Sequence, residues 1–318
     1  MNPPSTPAST SSARSNKRKK YEEHGFKSVG PKDVDLESAI LNPCGVYLDG
    51  TGKPSNTTVE DAFGPQSKEN SSRVFIHKDK KALQDITDDF GQYIKGHYDE
   101  HTLTMICTDS IVLRDRYIYN DLTDDDTFIR AVRRDKWKPG KKGPPTSGLI
   151  YSYDWDIEPD ATYAVSIRMF DAKDRRRLKT VEWQRFLAEE NAGCPYTTIE
   201  YKCSEKTGKQ SHATNQTAAA SAIWLCQRNQ IRDALGGSLD DLRHYTIVIF
   251  DAQYTISEMR IEESRYDTRT LAVGSLTDMS GLEDYIQWSN AIHDWGLGLN
   301  ASSFKKDIQS LLSRASSQ

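Results

Sequence analysis

The pentapeptide Thr198-Ile199-Glu200-Tyr201-Lys202 decides the fold. It predicts a short strand in which Glu200 and Lys202, two positions apart, share one face while Ile199 and Tyr201 point to the other. A carboxylate and an ammonium group therefore lie side by side. The sequence on both sides of this strand must supply its neighbours in a sheet.

Further elements follow from periodicity and composition. Glu158-Pro159-Asp160 leads into a run rich in strand formers over 161–167, so Asp160 begins a second strand. A helical pattern covers 213–235, and the apolar stretch 245–250 is typical of a central strand buried on both faces. The remaining predictions are a helix over 83–94, a strand over 103–107, a short helix over 127–132, a strand over 148–157, a helix over 173–191 that Gly193 and Pro195 end, an edge strand over 255–262, and two covering helices within 281–312. The predicted class is α/β, a mixed sheet flanked by helices.

Composition divides the chain into three parts. Residues 1–35 hold too few apolar side chains to offset the entropy of ordering, which predicts a disordered basic tail. Within it, the basic run 17–20 suits a nuclear import signal or an arm that binds phosphate, and so favours the nucleus. Residues 36–147 are expected to form a helical or irregular region, and residues 148–318 the main core.

The charge balance limits the partners. The 318 residues carry a formal net charge of −4, so the whole chain does not attract nucleic acid. Contact with a phosphate backbone must come from local basic clusters, of which there are two, at 130–142 and 173–179. No run of about 18 apolar residues occurs, so no membrane span is expected.

The residues around the deciding strand can carry metal chemistry. An aspartate that begins one strand and a Glu-x-Lys on the next can bring two carboxylates close enough to bind Mg²⁺ or Mn²⁺. We expect Asp160 and Glu200 to hold the metal, with the main-chain carbonyl of Tyr201 as a further ligand. Lys202 would orient the attacking water or stabilise the charge that builds on phosphorus. Gln216, on the following helix, would contact the scissile phosphate or its water.

Each assignment has an alternative. Asp160 can simply form a turn, since Pro-Asp favours turns, and Asp154 or Asp156 could then supply the first carboxylate. Glu200 and Lys202 can form a surface ion pair that contributes little energy. Gln216 can serve as a capping or core residue.

These motifs resemble those of a known superfamily. Glu158-Pro159-Asp160, then Ile199-Glu200-Tyr201-Lys202, then a helix beginning near Asn215-Gln216, resembles the PD-(D/E)XK nucleases. The chain is similar to the fungal PD-(D/E)XK nuclease-like proteins, in which a helix with a glutamine and a tryptophan, here Gln216 and Trp224, follows Glu-x-Lys. The resemblance covers roughly residues 148–262. It implies a restriction-endonuclease-like sheet and magnesium-dependent hydrolysis of DNA.

Other functions stay open at this point. The same fold could bind nucleic acid or a protein partner without turnover, because such a protein keeps the core and differs in substrate access. An accessory role in a fungal, including a biosynthetic, pathway is a third hypothesis. A homodimer is also compatible with the sequence.

Overall fold

The computed structural model describes most of the chain after residue 34. The described residues are 35–49, 53–55, 57–64, 78–112, 129–133, 159–180, 187–189, 192–204 and 209–316, with the single residues Ile76, Pro144, Ile157 and Trp183. The predicted disordered tail, except Asp35, lies outside them. So do the predicted strand 148–157, except Ile157, and the alternative carboxylates Asp154 and Asp156.

One mixed sheet organises the described residues. Its eight strands are β1 (Val46–Tyr47), β2 (Ile129–Arg133), β3 (Ala161–Ser166), β4 (Leu187–Glu189), β5 (Ala192–Lys202), β6 (Arg243–Phe250), β7 (Gln253–Glu262) and β8 (Arg265–Ser275). They lie in the order β1-β8-β7-β6-β5-β3-β2, and β4 pairs with the first residues of β5. Two pairs, β5 with β6 and β1 with β8, are parallel, and the others are antiparallel.

Helices cover both faces of this sheet. Among the described residues they are α1 (Val59–Phe63), α2 (Lys80–Gly96), α3 (Glu100–Ser110), α4 (Ala172–Leu178), α5 (Lys209–Leu235), α6 (Met279–Trp295) and α7 (Ala301–Ser316). Tyr201 and Tyr245 pack in one apolar cluster with Trp288 of α6, whereas Met259 packs in a second cluster with Ile223 of α5. The predicted α/β class, a mixed sheet flanked by helices, is therefore confirmed.

The region before residue 148 also contributes to this sheet. β1 pairs with β8 and β2 pairs with β3, while α3 packs against β5 and α2 against α6. In the part of the chain that the structure describes, no helix combines the length and the apolar character that a bilayer crossing requires.

The strongly periodic elements form where the sequence predicts them. Asp79 caps α2 by accepting the backbone N–H of Ala82 at 2.8 Å, and the i, i+3, i+4 spacing then buries Leu83, Ile86 and Phe90. Helix α5, the central strand β6, and the two C-terminal helices α6 and α7 also agree with their predictions. Their patterns are long enough for local sequence to decide the structure.

Two short elements were assigned to the wrong class. Residues 103–107, predicted as a strand, lie in α3, where Leu103, Cys107 and Ile111 recur at four-residue spacing and are buried. The Asp99 side chain caps this helix by accepting the Thr102 N–H at 2.9 Å. Of residues 127–132, predicted as a short helix, 129–132 lie instead in β2, because backbone pairing with β3 outweighs local helix propensity, and 127–128 lie outside the described residues.

The predicted helix over 173–191 agrees with the structure over α4 and is wrong at Leu187–Glu189, which form β4. Trp183 is helical, and residues 181–182, 184–186 and 190–191 lie outside the described residues. α4 ends at Leu178, where the Thr180 hydroxyl donates to the Arg177 carbonyl at 2.8 Å and so competes with further helical bonds. The chain then forms β4. Gly193 and Pro195, predicted to end that helix, lie inside β5, where register shifts against β3 tolerate a proline that has no N–H.

The predicted edge strand over 255–262 is an interior strand. β7 pairs with β6 on one side and with β8 on the other, and β8 was not predicted. The turn between β7 and β8 uses Glu263 and Ser264, both at positive φ. A two-residue hairpin of this kind usually carries Asn or Gly, so the sequence lacked the usual signal for it.

Candidate functional site

The candidate site lies where two parallel strands end. Lys202, the last residue of β5, pairs with Phe250, the last residue of β6, and the Asp251 N–H donates to the Lys202 carbonyl at 2.8 Å. The Asp251 carboxylate in turn accepts the Ser204 N–H at 2.9 Å. This hydrogen bond joins the segment after β5 to the segment after β6. The carboxyl ends of parallel strands are a common location for ligand sites in α/β sheets.

Asp160 joins this end of the sheet from the neighbouring strand. Ala161 pairs with Ile199, so Asp160 immediately precedes the paired part of β3. Its Oδ2 accepts the backbone N–H of Tyr201 at 3.0 Å. Asp160 therefore does more than form a turn, because its carboxylate is anchored to the strand that carries Glu200 and Lys202.

The Lys202 ammonium lies among three oxygens. Its Nζ donates to Asp160 Oδ2 at 3.2 Å, to Glu200 Oε2 at 3.0 Å and to the Tyr201 carbonyl at 2.7 Å. An ammonium has three N–H donors, so these contacts satisfy all of them. Glu200 is only 1% exposed and Lys202 only 8%. The pair is thus buried, unlike the surface ion pair that was the alternative.

Burial and charge separate the two carboxyl groups. Burial raises the pKa of Glu200 well above its usual range, and the charge and hydrogen bond of Asp160 raise it further. For Asp160, burial also acts to raise the pKa, but the hydrogen bond with Glu200, the charge of Lys202 and the Tyr201 N–H together lower it. Of the two carboxyl groups, Glu200 is therefore the more readily protonated and Asp160 the more readily ionised.

Lys202 stays charged in this setting. Burial acts to lower its pKa, but the carboxylates of Glu200, Asp160 and Glu100 outweigh burial and raise the pKa above its usual value. Lys202 therefore keeps its positive charge at the end of β5.

Glu100 is a site residue that the sequence analysis missed. It lies in the first turn of α3, and its Oε1 is 3.6 Å from the Lys202 Nζ, with 38% of the side chain exposed. The four-residue spacing of Leu103, Cys107 and Ile111 could have indicated the helix. The contact with Lys202 spans about one hundred residues of sequence and carries no local signal.

Gln216 occupies a different position from the three clustered residues. It lies in α5, which packs against β5 and β6, and it is 4% exposed with its Oε1 buried and without a hydrogen-bond partner. Among the described residues, no hydrogen bond joins it to Asp160, Glu200 or Lys202. Trp224, the other helix residue of the resemblance, packs with Ala164 and Ala192 in the core.

The oxygen atoms around the ammonium suit a hard divalent cation. Asp160, Glu200 and the Tyr201 carbonyl already surround one positive charge, and the second oxygen of Glu200, Oε1, is buried without a hydrogen-bond partner. Carboxylate and carbonyl oxygens are ligands that Mg²⁺ and Mn²⁺ accept. Among the described residues, no group of three or more His, Cys, Asp or Glu side chains able to hold a metal occurs.

The described parts of the two basic clusters follow or join different strand ends of the sheet. The cluster at 173–179 includes α4, which follows the end of β3, and that end pairs with Ala192 at the start of β5. The eleven residues of β5 span roughly 30 Å, so α4 lies far from Lys202. In the cluster at 130–142, Arg133 pairs with Ala161 beside Asp160, and residues 134–142 lie outside the described residues.

Comparison with known proteins gives no relative from which a function could be transferred. No protein-family model, no curated protein and no solved structure matches this chain.

Proposed function

We propose that the chain is a metal-dependent phosphodiesterase that hydrolyses DNA, with the restriction-endonuclease-like fold of the PD-(D/E)XK superfamily. The observation that carries the proposal is the convergence of Asp160, Glu200 and the Tyr201 carbonyl on one cationic position at the end of β5. The arrangement follows the order of the motif, with an aspartate at the start of one strand and Glu-x-Lys at the end of its neighbour.

Each residue has a distinct role in this reaction. Asp160, Glu200 and the Tyr201 carbonyl would hold the cation, whose chemistry when bound would be to lower the pKa of a water and to offset charge on the phosphate. Lys202 supplies a positive charge that stabilises the phosphoryl oxygens as negative charge builds on them. The hydrogen bond from the Tyr201 main-chain N–H to Asp160 holds the Asp160 carboxylate next to that of Glu200. The buried Gln216 amide is assigned to the phosphate or its water by the resemblance alone.

A non-catalytic nuclease-fold protein that binds nucleic acid or another protein is the second candidate. One observation favours it: the three donors of Lys202 are already matched by three acceptors. In such a site the ammonium of Lys202 takes the place of a metal ion among the three oxygens. The cluster can then stabilise the fold without binding a metal.

Cleavage of labelled single- and double-stranded DNA separates the two candidates. The parent is compared, with Mg²⁺ or Mn²⁺, to Glu200→Gln and Lys202→Met, and Glu262→Gln at the exposed end of β7 serves as a control. We expect metal-dependent cutting that falls by about 100-fold or more in the two site variants, because each removes a group that stabilises transition-state charge. An inactive parent would reject the nuclease assignment and favour the second candidate. Equal cutting by all four folded proteins would reject Glu200 and Lys202 as the site of cleavage. RNA tested in parallel establishes which nucleic acid is cleaved.

A further inference from the structure

The Lys202 ammonium occupies the position that is proposed for the metal. It contacts the same three oxygens that are proposed to hold the metal, at 2.7 to 3.2 Å. A divalent cation bound to those oxygens and an ammonium in its present place would repel each other at close range. Lys202 must therefore move when the cation binds, and it needs another acceptor because it stays largely buried.

Among the described residues, Glu100 is the one carboxylate besides Asp160 and Glu200 within ion-pair distance of the Lys202 ammonium. The Asp251 carboxylate accepts the Ser204 N–H at 2.9 Å and so is engaged in joining the ends of β5 and β6. Glu100 Oε1 is 3.6 Å from the Lys202 Nζ, too far for a hydrogen bond but close enough for an ion pair. With 38% of its side chain exposed, Glu100 has room to adjust.

The balance of charges around Lys202 also favours Glu100 as the acceptor. A bound cation would favour the ionised form of Glu200. Asp160, Glu200, Glu100 and Lys202 then sum to a charge of −2, which is the charge that one divalent cation neutralises. The cation then balances Asp160 and Glu200, and Lys202 balances Glu100. Buried charges are tolerated when they are paired in this way.

We propose that Glu100 is a positioning residue that receives the Lys202 ammonium when a divalent cation takes the three oxygens of Asp160, Glu200 and Tyr201. This inference rests on the proposed function, since it assumes that the same oxygens bind a metal. In the metal-bound protein, Lys202 forms a close ion pair with Glu100 at the rim of the site. The ammonium then stands between the first turn of α3 and the bound phosphate, and Glu100 sets its distance from the reacting oxygens.

Mn²⁺ binding to the full chain, followed by electron paramagnetic resonance of the free ion, tests this exchange without a cleavage assay. We expect Lys202→Met to bind Mn²⁺ at least about 10-fold more tightly, because the competing ammonium is removed. Glu100→Gln should bind about 5- to 10-fold more weakly, because the displaced ammonium loses its acceptor. Glu283→Gln, an exposed glutamate on α6, is the matched control and should bind like the parent.

The double variant of Lys202→Met and Glu100→Gln decides between an indirect and a direct role for Glu100. If Glu100 acts through Lys202, the double variant binds Mn²⁺ as tightly as Lys202→Met alone. A double variant that binds clearly more weakly than Lys202→Met would make Glu100 a direct ligand and overturn the proposal. Mn²⁺ binding that neither single variant changes would also overturn it while leaving the metal site in place. No Mn²⁺ binding by any of these proteins would reject the metal site itself and, with it, this proposal.

A crystal structure of the parent with Mn²⁺ provides a second measurement that requires no variant to fold. The anomalous signal should lie between Asp160 and Glu200, with the Lys202 Nζ within about 3 Å of a Glu100 oxygen. A metal bound with Lys202 still on the Tyr201 carbonyl would contradict the exchange.

Discussion

The Asp160 carboxylate accepts the backbone N–H of Tyr201 at 3.0 Å and so connects the residue before β3 to the end of β5. The same oxygen, Oδ2, also accepts from the Lys202 ammonium at 3.2 Å. One atom therefore has a structural and an electrostatic role. The two roles can be separated by substitutions that keep or remove the acceptor.

Asp160→Asn should keep the structural role and lose the electrostatic one. Its amide oxygen can still accept the Tyr201 N–H, so we expect the free energy of unfolding to fall by only about 1 kcal/mol. Asp160→Ala leaves the N–H without its acceptor and should cost about 1–3 kcal/mol. Both should weaken Mn²⁺ binding by about 10-fold or more, since a charged ligand is removed. Urea unfolding and Mn²⁺ titration measure the two effects.

Asp171→Asn is the matched control for this pair. Asp171 caps α4 by accepting the Asp174 N–H at 2.8 Å, and asparagine is an equally good cap, so neither stability nor Mn²⁺ binding should change. Unchanged Mn²⁺ affinity in Asp160→Asn would remove Asp160 from the metal site.

Gly281→Ala tests the close packing between β8 and α6. Gly281 is the third residue of α6, and its N–H donates to the Asp278 side chain at 2.7 Å. A Cβ at this position would lie against the backbone of Ser275, which cannot rotate away as a side chain could. We expect a loss of about 1–3 kcal/mol in the free energy of unfolding, measured in urea.

Gly91→Ala is expected to raise the free energy of unfolding in the same urea assay, in contrast to Gly281→Ala. Gly91 lies in the middle of α2, where a Cβ would have no atom within 4 Å. Alanine should therefore stabilise the protein by about 0.5–1 kcal/mol through helix propensity. Equal effects of the two substitutions would show that close contact with Ser275 does not limit residue 281.

Two buried histidines should make stability depend on pH. Burial lowers the pKa of His244 and of His293 from 6.5 to about 3. Between pH 6.5 and 3 the unfolded chain therefore binds protons that the folded chain does not, so the free energy of unfolding falls as the pH falls. Each histidine contributes a slope of up to about 1.4 kcal/mol per pH unit.

The contribution of His244 can be measured by difference. Glu200, whose pKa is raised by burial, acts with the opposite sign, because above its unfolded pKa it binds protons in the folded state. Subtracting the urea stabilities of His244→Gln from those of the parent between pH 6.5 and 5 cancels the Glu200 contribution. A difference that does not change with pH would show that His244 is not buried as a neutral ring against Thr198.

The site residues on β5 could be predicted because a strand alternates its side chains, which fixes the relation of Glu200 to Lys202 without knowledge of the fold. The proximity of Asp160 was expected because its strand and that of Glu200 were predicted as neighbours, and the antiparallel pairing of β3 with β5 brings the start of one to the end of the other. Glu100 could not be found in this way, because its contact depends on how α3 packs against β5.

The missed strand β8 has a similar explanation. Local sequence did not encode the turn at Glu263 and Ser264, because their positive φ values are imposed by the pairing of β7 with β8. The predicted helix failed at 187–189 for the same reason, since pairing of β4 with β5 is a tertiary effect. Local patterns thus defined the strongly periodic elements, whereas strand pairing defined β4 and β8.

Neutralising Arg175, Arg176 and Arg177 tests whether DNA contacts α4. These residues lie in the last turn of α4, and Arg176 is exposed. If they bind backbone phosphates, replacing all three with glutamine should lower DNA affinity and reduce the slope of log affinity against log salt by about 0.9 for each phosphate that is no longer neutralised. Mn²⁺ binding should not change, because α4 lies at the opposite end of β5 from Lys202.

The control must remove the same charge elsewhere. Lys80, Lys81 and Lys95 are exposed on α2, and their replacement by glutamine changes the net charge by the same amount. Equal loss of DNA affinity in the two triple variants would mean that net charge, and not a surface at α4, attracts DNA. A salt-independent affinity in the parent would argue against a phosphate backbone as the ligand. If only the α4 variant loses affinity, DNA bound at α4 must extend along the roughly 30 Å of β5 to reach Lys202. This distance requires about nine nucleotides of one strand, at about 3.4 Å each.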